Sequence, residues 1–373
     1  MRKFFVMVLM LTMLFCLGGC GSKTPDKADI TEIPTLSVAY GNDLHCCLLN
    51  VAMKDVEAFA DKTMRINPVS ESQFELIKDD KAIARFNIIT GKTGAECATM
   101  MGQGHLDFCF CSNSAMQSAY DVGTDVKILS PLQGGGVSIV MGPDASFYGY
   151  DALKKYIEDS PTPFKFGYPS AISGPRILCE SMFKDAGFKV TEDPGDMSAD
   201  VLMVDLKGFQ NLLGSIRSGA VDAWAGTSPA QENAVAQEMG KIVLKLEDFP
   251  PQGQWTNFPC CVLAGTTKAV EEYPEVAEAL VSVVVDCIDY ANANREKFAE
   301  INSALIGVEK DVILASNIVY TSEPSQEWVD GIEKYFNAIK TLGKFTDRLK
   351  DANYNTVKNE LFEFSFVEKA NAR

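Results

Sequence analysis

The stretch Gly104-His105-Leu106-Asp107-Phe108 decides the fold, because it returns in altered form 115 positions later as Gly219-Ala220-Val221-Asp222-Ala223. In both copies a short helix leads into a buried strand, a Ser-rich turn and a second helix. An αβα unit used twice predicts two α/β lobes of similar build. Ligands of open α/β sheets bind beyond the carboxyl ends of the strands. Two such lobes that face each other are expected to enclose a ligand in a cleft.

The first residues have the pattern of an export signal. Arg2 and Lys3 precede an apolar run that ends at Leu17-Gly18-Gly19-Cys20. This run is shorter than the ~20 residues of a membrane-spanning helix, and it is excluded from the fold. Small residues before a cysteine are similar to a bacterial lipobox, in which the cysteine is lipidated and becomes the mature N-terminus.

We therefore predict a lipoprotein signal peptide at 1–19, lipidation of Cys20 and a flexible tether at 20–34. An ordinary secretory signal or a signal anchor is the alternative. The predicted location is the extracytoplasmic face of the cell membrane.

Net charge limits the kinds of partner that the protein is expected to bind, and the cysteine count indicates the state of its thiols. The chain has 34 basic and 50 acidic residues, a net charge of −16, which becomes −18 when Arg2 and Lys3 leave with the signal. This balance argues against nucleic acid and against docking on anionic lipid by surface charge, so the lipid anchor is the predicted membrane contact. Of 11 cysteines, those outside the signal and the lipobox form an odd set without CxxC spacing. They are interpreted mainly as unpaired, apolar core residues.

The second lobe is predicted to be an insertion within the first. Strands alternate with helices of 10–15 residues, which predicts two largely parallel sheets flanked by helices. Lobe 1 is assigned to 35–141, an inserted lobe 2 to 142–256, and 257–373 returns to lobe 1 and ends in helices. The two chain crossings between lobes form a hinge that permits closure.

These elements resemble the substrate-binding proteins of ABC importers, in the branch for nitrate, sulfonates, taurine and the pyrimidine precursor of thiamine. The resemblance covers most of 35–345 and rests on the order and spacing of several motifs, which include Gln103-Gly104-His105-Leu106-Asp107-Phe108, Phe166-Gly167-Tyr168-Pro169-Ser170, Arg217-Ser218-Gly219-Ala220-Val221-Asp222-Ala223 and Tyr273-Pro274-Glu275-Val276. It implies a bilobal type II periplasmic-binding fold, no catalysis and no cofactor. It also implies a monomer whose partners are a small-molecule ligand and the transmembrane subunits of an ABC permease.

Ser173-Gly174-Pro175-Arg176 is the sharpest local signal. A Ser cap and a Pro in the first turn start a helix whose free N–H groups suit an anion, and Arg176 can add a charge-assisted contact. The alternative is an ordinary capped helix with a solvated Arg. We predict ligand contacts from Ser170, Ser173, Gly174 and Arg176.

Two equivalent loops, Cys111-Ser112-Asn113-Ser114 and Gly226-Thr227-Ser228-Pro229, offer hydroxyls and amides at helix starts. The alternative is helix capping alone. We predict ligand contacts from Ser112, Asn113, Thr227 and Ser228.

Two further loops of lobe 1 follow strands that end at the cleft. They predict ligand contacts from Asn42, Asp43, His45, Thr90 and Gly91. The second loop, Thr90-Gly91-Lys92-Thr93-Gly94, is not a phosphate loop, because Phe86 stands where that pattern requires Gly.

Metal binding and catalysis are the less favoured interpretations. His45-Cys46-Cys47, Cys111 and Cys260-Cys261 suggest a soft-metal pocket, but their spacing is irregular, and no metal is predicted. Two histidines without a recognisable triad make a general base hard to place. Asp107 and Asp222 are expected to hold helix-to-strand turns.

The sequence therefore predicts an extracytoplasmic receptor for a small sulfonate- or carboxylate-type anion. The alternatives are an enzyme or a metal-binding receptor on the same fold, or a sensor or adhesion lipoprotein without a transport role.

Overall fold

Two β-sheets, one in each lobe, organise the chain. The computed structural model describes residues 33–41 and 43–373, of which Pro34–Arg373 form one unit. The predicted signal peptide, Cys20, nearly all of the tether and Asn42 lie outside the described residues.

The strands, in chain order, are β1 (Thr35–Tyr40), β2 (Met64–Ser70), β3 (Gln73–Lys78), β4 (Lys81–Thr90), β5 (Phe108–Ser112), β6 (Val126–Gly134), β7 (Val137–Met141), β8 (Phe164–Tyr168), β9 (Val190–Thr191), β10 (Val201–Asp205), β11 (Ala223–Thr227), β12 (Lys241–Lys245), β13 (Pro259–Thr266) and β14 (Val319–Tyr320). The α-helices are α1 (Leu49–Lys54), α2 (Gly94–Gly102), α3 (Asn113–Asp121), α4 (Tyr150–Glu158), α5 (Gly174–Asp185), α6 (Leu212–Arg217), α7 (Ala230–Ala236), α8 (Thr267–Glu272), α9 (Pro274–Ala293), α10 (Arg295–Ile306), α11 (Lys310–Leu314), α12 (Gln326–Thr341), α13 (Tyr354–Leu361) and α14 (Ser365–Asn371). Short 3-10 turns occupy Val56–Phe59, Phe209–Asn211 and Leu246–Asp248.

The first sheet has the strand order β14-β6-β13-β5-β1-β4-β3-β2, and the second has the order β12-β7-β11-β8-β10-β9. The α/β class is confirmed, but the sheets are mixed rather than largely parallel. In the first sheet β1 is parallel to β4 and β5, whereas β13 is antiparallel to β5 and β6. In the second, β8 is parallel to β10 and β11, whereas β7 is antiparallel to β11 and β12.

The antiparallel strands have two origins. β7 leaves the cleft into the second lobe and β13 returns from the cleft into the first, so each runs against neighbours whose carboxyl ends meet the cleft. The meander β2-β3-β4 adds antiparallel neighbours at the far edge of the first sheet. A strand's hydrophobic pattern is the same in either direction, so neither feature is visible in periodicity alone.

The first crossing between lobes is earlier than predicted. Val137–Met141 was assigned to lobe 1, but it pairs with β11 and β12 of the second sheet. The crossing therefore lies at Gly135 and Gly136, which both have positive φ. The second crossing is the segment 249–258 between the turn after β12 and the start of β13. Hereafter lobe 2 means residues 137–248, and lobe 1 means the remainder of Pro34–Arg373 outside the crossings.

The repeated Asp has the same structural role in both lobes. The Asp107 carboxylate accepts hydrogen bonds from the Ser37 backbone N–H at 2.7 Å and the Ser37 hydroxyl at 2.8 Å. The Asp222 carboxylate accepts the Lys165 N–H at 2.8 Å. Each Asp precedes a strand and satisfies the start of the parallel strand beside it. The predicted turn role agrees with these contacts.

Lobe 1 is completed by the C-terminal helices. α9 begins at Pro274, as predicted, and buries most of its length, including Val281–Val285, against lobe 1. Within the described ranges, no helix is both long and apolar enough to cross a bilayer.

Candidate functional site

A cavity of about 50 Å³ lies between the lobes, at the carboxyl ends of the central strands. We call it the cleft cavity. Lobe 1 and the start of β13 line it with Asp43, His45, Cys46, Lys92, Thr93, Gly94, Phe110, Cys111, Ser112, Cys260 and Cys261, and lobe 2 lines it with Ser170, Ser173, Gly174, Pro175, Phe209 and Thr227. Its position is the one that the paired αβα units predict.

The loop after β1 brings Asp43 and His45 to the cleft cavity. The Asp43 carboxylate accepts the His45 backbone N–H at 2.8 Å. Burial raises the pKa of Asp43 to about 6, although hydrogen bonds from the backbone N–H groups of His45 and Cys46 oppose the shift. The His45 ring is held on both sides, with Nδ1 2.5 Å from the Gln133 amide nitrogen and Nε2 3.2 Å from the Gly136 carbonyl oxygen. A ring held at both nitrogens has a fixed orientation.

Three helices begin at the cleft cavity, two from lobe 1 and one from lobe 2. The side chains that cap them are Thr93 for α2, Ser112 for α3 and Ser173 for α5, each of which accepts a backbone N–H from the first turn. Helix N-termini carry free N–H groups and a partial positive charge. Their convergence therefore favours a ligand with negative charge.

Small side chains let the two lobes meet closely here. A Cβ added at Gly174 would lie 3.7 Å from the Cys260 sulfur and 3.4 Å from the Tyr335 hydroxyl. The N-terminus of α5 thus reaches the lobe 1 side of the cavity. Thr227 Oγ1, also buried in the lining, has no hydrogen-bond partner among the described residues. Its hydroxyl is available to a ligand.

Direct hydrogen bonds join the lobes around the cavity. The Ser114 hydroxyl donates to the Ile172 carbonyl at 2.7 Å, and the Leu44 N–H donates to the Ser228 carbonyl at 3.3 Å. At the periphery, the Lys344 ammonium lies 3.3 Å from the Glu192 carboxylate. The structure therefore describes the lobes in a closed arrangement.

Buried thiols are concentrated at the cavity. The nine cysteines of the described ranges are all free and buried. Cys46, Cys111, Cys260 and Cys261 line the cavity. The ligand atoms of His45, Cys260 and Cys261 all lie within 4.8 Å of one another, with Cys260 Sγ 3.7 Å from Cys261 Sγ.

The structure brings together about half of the predicted contact residues. Those that line the cleft cavity are Asp43, His45, Ser112, Ser170, Ser173, Gly174 and Thr227. Thr90 lines a separate cavity beside Tyr40 and Asn50. Gly91 is exposed and lies outside the cleft lining.

Asn113 and Ser228 are buried outside the lining and make local hydrogen bonds, although the Asn113 amide nitrogen has no partner among the described residues. The Asn113 side-chain oxygen accepts from Gln117 at 3.1 Å, and the Ser228 hydroxyl donates to the Glu232 carboxylate at 2.8 Å. Neither side chain is a helix cap, because Ser112 caps α3 and the structure gives α7 no side-chain cap. Neither residue lines the cleft cavity, and their contacts with ligand stay a prediction.

Arg176 is also directed away from the cavity. Its side chain is buried and its guanidinium lies over the Tyr168 ring at 4.8 Å. One N–H donates to the Ala171 carbonyl at 2.8 Å, and ion pairs join it to Glu180, at 3.3 Å, and to Glu192. Glu180 lies one helical turn further along α5, so the pair forms on the helix flank rather than at its open end. The predicted contact of Arg176 with ligand is therefore not supported.

Sequence reasoning placed the contacts of this loop at Thr90 and Gly91, and so missed Lys92, Thr93 and Gly94 by one to three positions. A signal was available, because Thr93 and Glu96 form a reciprocal capping box that marks the start of α2. Phe110 and Phe209 were also missed. No sequence pattern around either aromatic residue distinguishes a side chain that lines a cavity from one that packs in the core.

The sequence profile of the NMT1-like family matches residues 31–306. The chain belongs to the NMT1-like family. A curated relative, an uncharacterized protein of Methanocaldococcus jannaschii, is 29% identical over 136 residues, which is 35% of this chain and 90% of that protein.

Solved structures similar to this NMT1-like protein include solute-binding components of ABC importers. The ligand-binding component of an ABC-type import system from Staphylococcus aureus, solved with zinc bound, has a TM-score of 0.68 at 14% identity and covers 90% of this chain and 99% of its own. The nitrate-binding protein NrtA from Synechocystis has a TM-score of 0.66 at 15% identity over 91% and 89% of the chains. The alkanesulfonate-binding protein SsuA from Xanthomonas axonopodis, bound to MOPS, has a TM-score of 0.61 at 10% identity over 84% and 95%. The predicted periplasmic-binding fold is thus confirmed.

Proposed function

We propose that this protein is an extracytoplasmic receptor that closes its two lobes over a small anion and delivers it to an ABC importer. The observation that carries the proposal is the convergence of three helix N-termini, from both lobes, on one enclosed cavity. Free N–H groups and dipoles suit an oxyanion without requiring a full positive charge nearby. The proposed receptor performs no catalysis.

Charge at the cavity supports a singly charged ligand. Lys92 is the cationic side chain among the described lining residues, and it is paired with Glu96 at 3.2 Å. Arg176 is occupied by two carboxylates. With Asp43 also in the lining, a dianion would meet more repulsion than the helix N-termini offset.

The size of the cavity supports a small ligand. A volume of 50 Å³ corresponds to roughly three to five water-sized positions. Nitrate, formate and methanesulfonate are the members of the anion classes that come nearest to this size. A longer sulfonate such as taurine would require the lobes to part further.

Native mass spectrometry of the protein isolated directly from cells, with the lipobox deleted, is the first test. A small mass released by mild denaturation would identify the captured solute. Calorimetric titration with nitrate, formate, methanesulfonate and taurine then ranks the anions. Binding of a neutral heterocycle, with all four anions silent, would contradict the anion class.

Membrane attachment and transport require separate tests. Cys20→Ala should move the protein from the membrane fraction to the soluble extracytoplasmic fraction, because lipidation needs the thiol. Uptake of the labelled solute should fall when the receptor is deleted and recover when it is restored. Normal uptake in the deletion strain would favour the sensor or adhesion alternative.

A soft-metal ligand is the second candidate. The specific observation is the His45, Cys260 and Cys261 group in the cleft lining, with Cys46 beside it. Thiolate and imidazole ligands suit copper(I) and zinc. Binding would require Gln133 to release the His45 Nδ1 atom.

Titration with copper(I) and zinc under reducing conditions distinguishes the two candidates. Metal binding that is lost in Cys260→Ser and Cys261→Ser, with no anion response, would favour the metal. Unchanged melting temperatures with both ions would exclude it.

A further inference from the structure

A second and larger cavity lies on the other side of the two chain crossings. Its volume is about 480 Å³, within the range of small-molecule sites. The first crossing lines it with Gly135 and Gly136, and the second with Trp255, Thr256 and Asn257. We call it the hinge cavity.

Both lobes contribute to the hinge cavity. α7 and the end of β12 supply its lobe 2 wall, including Gln231, Glu232 and Val235. α11 and β14 supply its lobe 1 wall, including Val312 and Val319. Because the walls belong to different lobes, rotation about the crossings changes the shape of the cavity. A molecule bound there is expected to prefer one lobe angle.

The polar atoms of the lining are mainly acceptors. Gln231 is 1% exposed, and its Oε1 atom has no hydrogen-bond partner among the described residues. Glu232 Oε2 is also buried and unpartnered within that part of the chain. Three further carboxylates, of Glu247, Glu309 and Asp311, line the cavity, where Lys245 is the single cation among the lining residues that the structure describes. Unfilled acceptors and an excess of carboxylates fit a ligand that donates hydrogen bonds and carries positive charge.

A hydrogen-bond chain connects the hinge cavity to the cleft cavity. The Gly136 carbonyl accepts from the Gln231 amide at 2.8 Å and contacts His45 Nε2 at 3.2 Å. The same Gln231 amide nitrogen lies 3.0 Å from the Ser228 hydroxyl, which donates to the Glu232 carboxylate. These bonds fix the orientation of the Gln231 amide and leave Oε1 free. His45 lines one cavity and Glu232 the other, so the two are joined by contiguous contacts.

We propose that the hinge cavity binds a small organic cation, a protonated amine on a short apolar body, and that this binding is coupled to solute binding in the cleft cavity. The apolar walls, which include Trp255, Val235 and Ile242, accommodate the body, and Glu232 with Gln231 accepts the ammonium N–H groups. Binding of the amine is independent of the proposed transport function. Only the coupling rests on that function.

Benzylamine and its neutral analogue benzyl alcohol are the probes, and calorimetry with the whole mature chain is the measurement. Benzylamine is expected to bind at least tenfold more tightly than the alcohol, because only the amine fills the two acceptors with a charged donor. Glu232→Gln should weaken benzylamine binding about tenfold or more. Glu158→Gln, on the exposed end of α4, is the matched control and should bind as the native chain does.

Val235→Lys provides a second variant that does not disturb the core, because Val235 is 46% exposed. Its added cation should abolish benzylamine binding while the melting temperature stays within a few degrees. Equal affinity for amine and alcohol, or benzylamine binding that survives both variants, would overturn the site. So would an absence of binding at millimolar benzylamine.

Coupling between the two cavities is measured separately, from the dissociation constant of each ligand in the presence of the other. Saturating benzylamine should change the nitrate dissociation constant by the same factor as saturating nitrate changes that of benzylamine, since linkage is reciprocal. Unchanged constants in both directions would overturn the coupling and leave the amine site. If nitrate and the other anions do not bind at all, the benzylamine titration still tests the site, so failure of the transport proposal remains distinguishable.

Discussion

Replacement of Asp43 by Asn tests whether the cleft cavity binds an anion. The Asp43 carboxyl lines this cavity, and burial raises its pKa to about 6. An ionised carboxylate repels a neighbouring anion, so the protonated form of Asp43 is the form that admits the ligand. Anion affinity should therefore rise as pH falls through the pKa of this group.

The size of the effect follows from the fraction that is protonated. A pKa of about 6 leaves about nine tenths of the Asp43 carboxyls protonated at pH 5 and about one tenth at pH 7. The apparent dissociation constant is the intrinsic constant divided by the competent fraction, so native affinity should fall about tenfold between these pH values. Asp43→Asn is neutral at every pH. Its affinity should be nearly constant and, at pH 7, about tenfold tighter than that of the native protein.

Isothermal titration of nitrate and methanesulfonate at pH 5, 6, 7 and 8, at constant ionic strength, checks this. Asp144→Asn is the control, because Asp144 is exposed and outside the cavity. The comparison isolates Asp43 from every other titrating group. The reasoning would be refuted if the anion affinity of the native protein and that of Asp43→Asn changed equally with pH. Tighter anion binding by the native protein at pH 7 than at pH 5 would also refute it.

The same shift affects the stability of the ligand-free protein. Asp43 has a higher pKa folded than unfolded, so the folded state binds more protons and stability falls as pH rises from about 4 to about 6. About two pKa units correspond to at most about 3 kcal/mol above that range. Asp43→Asn should raise the free energy of unfolding at pH 8 and leave it nearly unchanged at pH 4, as measured by urea denaturation. A gain at pH 4 as large as that at pH 8 would contradict the titration of Asp43.

Three further substitutions test the hinge, the closed state and a helix start. Gly136→Ala should cost about 3 kcal/mol or more in urea denaturation, because a Cβ there would lie 2.7 Å from a buried histidine nitrogen. The control Gly91→Ala has the same φ of +71° with open space around it and should cost about 1 kcal/mol; equal losses would contradict the steric account. Ser114→Ala removes the 2.7 Å bond to Ile172 and should weaken solute binding about fivefold, in line with about 1 kcal/mol, with a larger radius of gyration by X-ray scattering; unchanged affinity would show that this bond does not hold the closed state. Thr93→Ala removes the cap of α2 and should lower the unfolding free energy by about 1 kcal/mol; no loss would contradict the capping role.

The parts of the fold that are determined by residues close together in the sequence could be predicted from it. The repeated αβα unit places Asp107 and Asp222 at equivalent strand starts, and both carboxylates make the same backbone contact. The caps Ser112 and Ser173 were recognisable because a helix start depends on neighbouring residues only. Each of these features is set within about four residues along the chain.

The features that could not be predicted depend on the direction of a side chain or strand, or on contacts between residues far apart in the sequence. Arg176 occupies the predicted helix start, yet its side chain follows Glu180 and Glu192 on the helix flank. The prediction that the sheets are largely parallel was wrong because the hydrophobic periodicity of a strand does not indicate its direction. The grouping of His45 with Cys260 and Cys261, over 200 residues apart, was suggested from the sequence as a soft-metal pocket, but no local pattern gives the distances between these side chains.

The distribution of anion donors between the lobes explains how closure and binding can be one event. Lobe 1 supplies the N-termini of α2 and α3, and lobe 2 supplies that of α5 together with Thr227. Neither lobe alone surrounds the cavity, so a solute gains the full set of contacts only when the lobes meet. A ligand shifts a conformational equilibrium only by its difference in affinity for the two states. In the proposed receptor this split arrangement maximises that difference. A chain of net charge −16 can still take an anion there, because local N–H groups, rather than the overall field of the protein, would contact it.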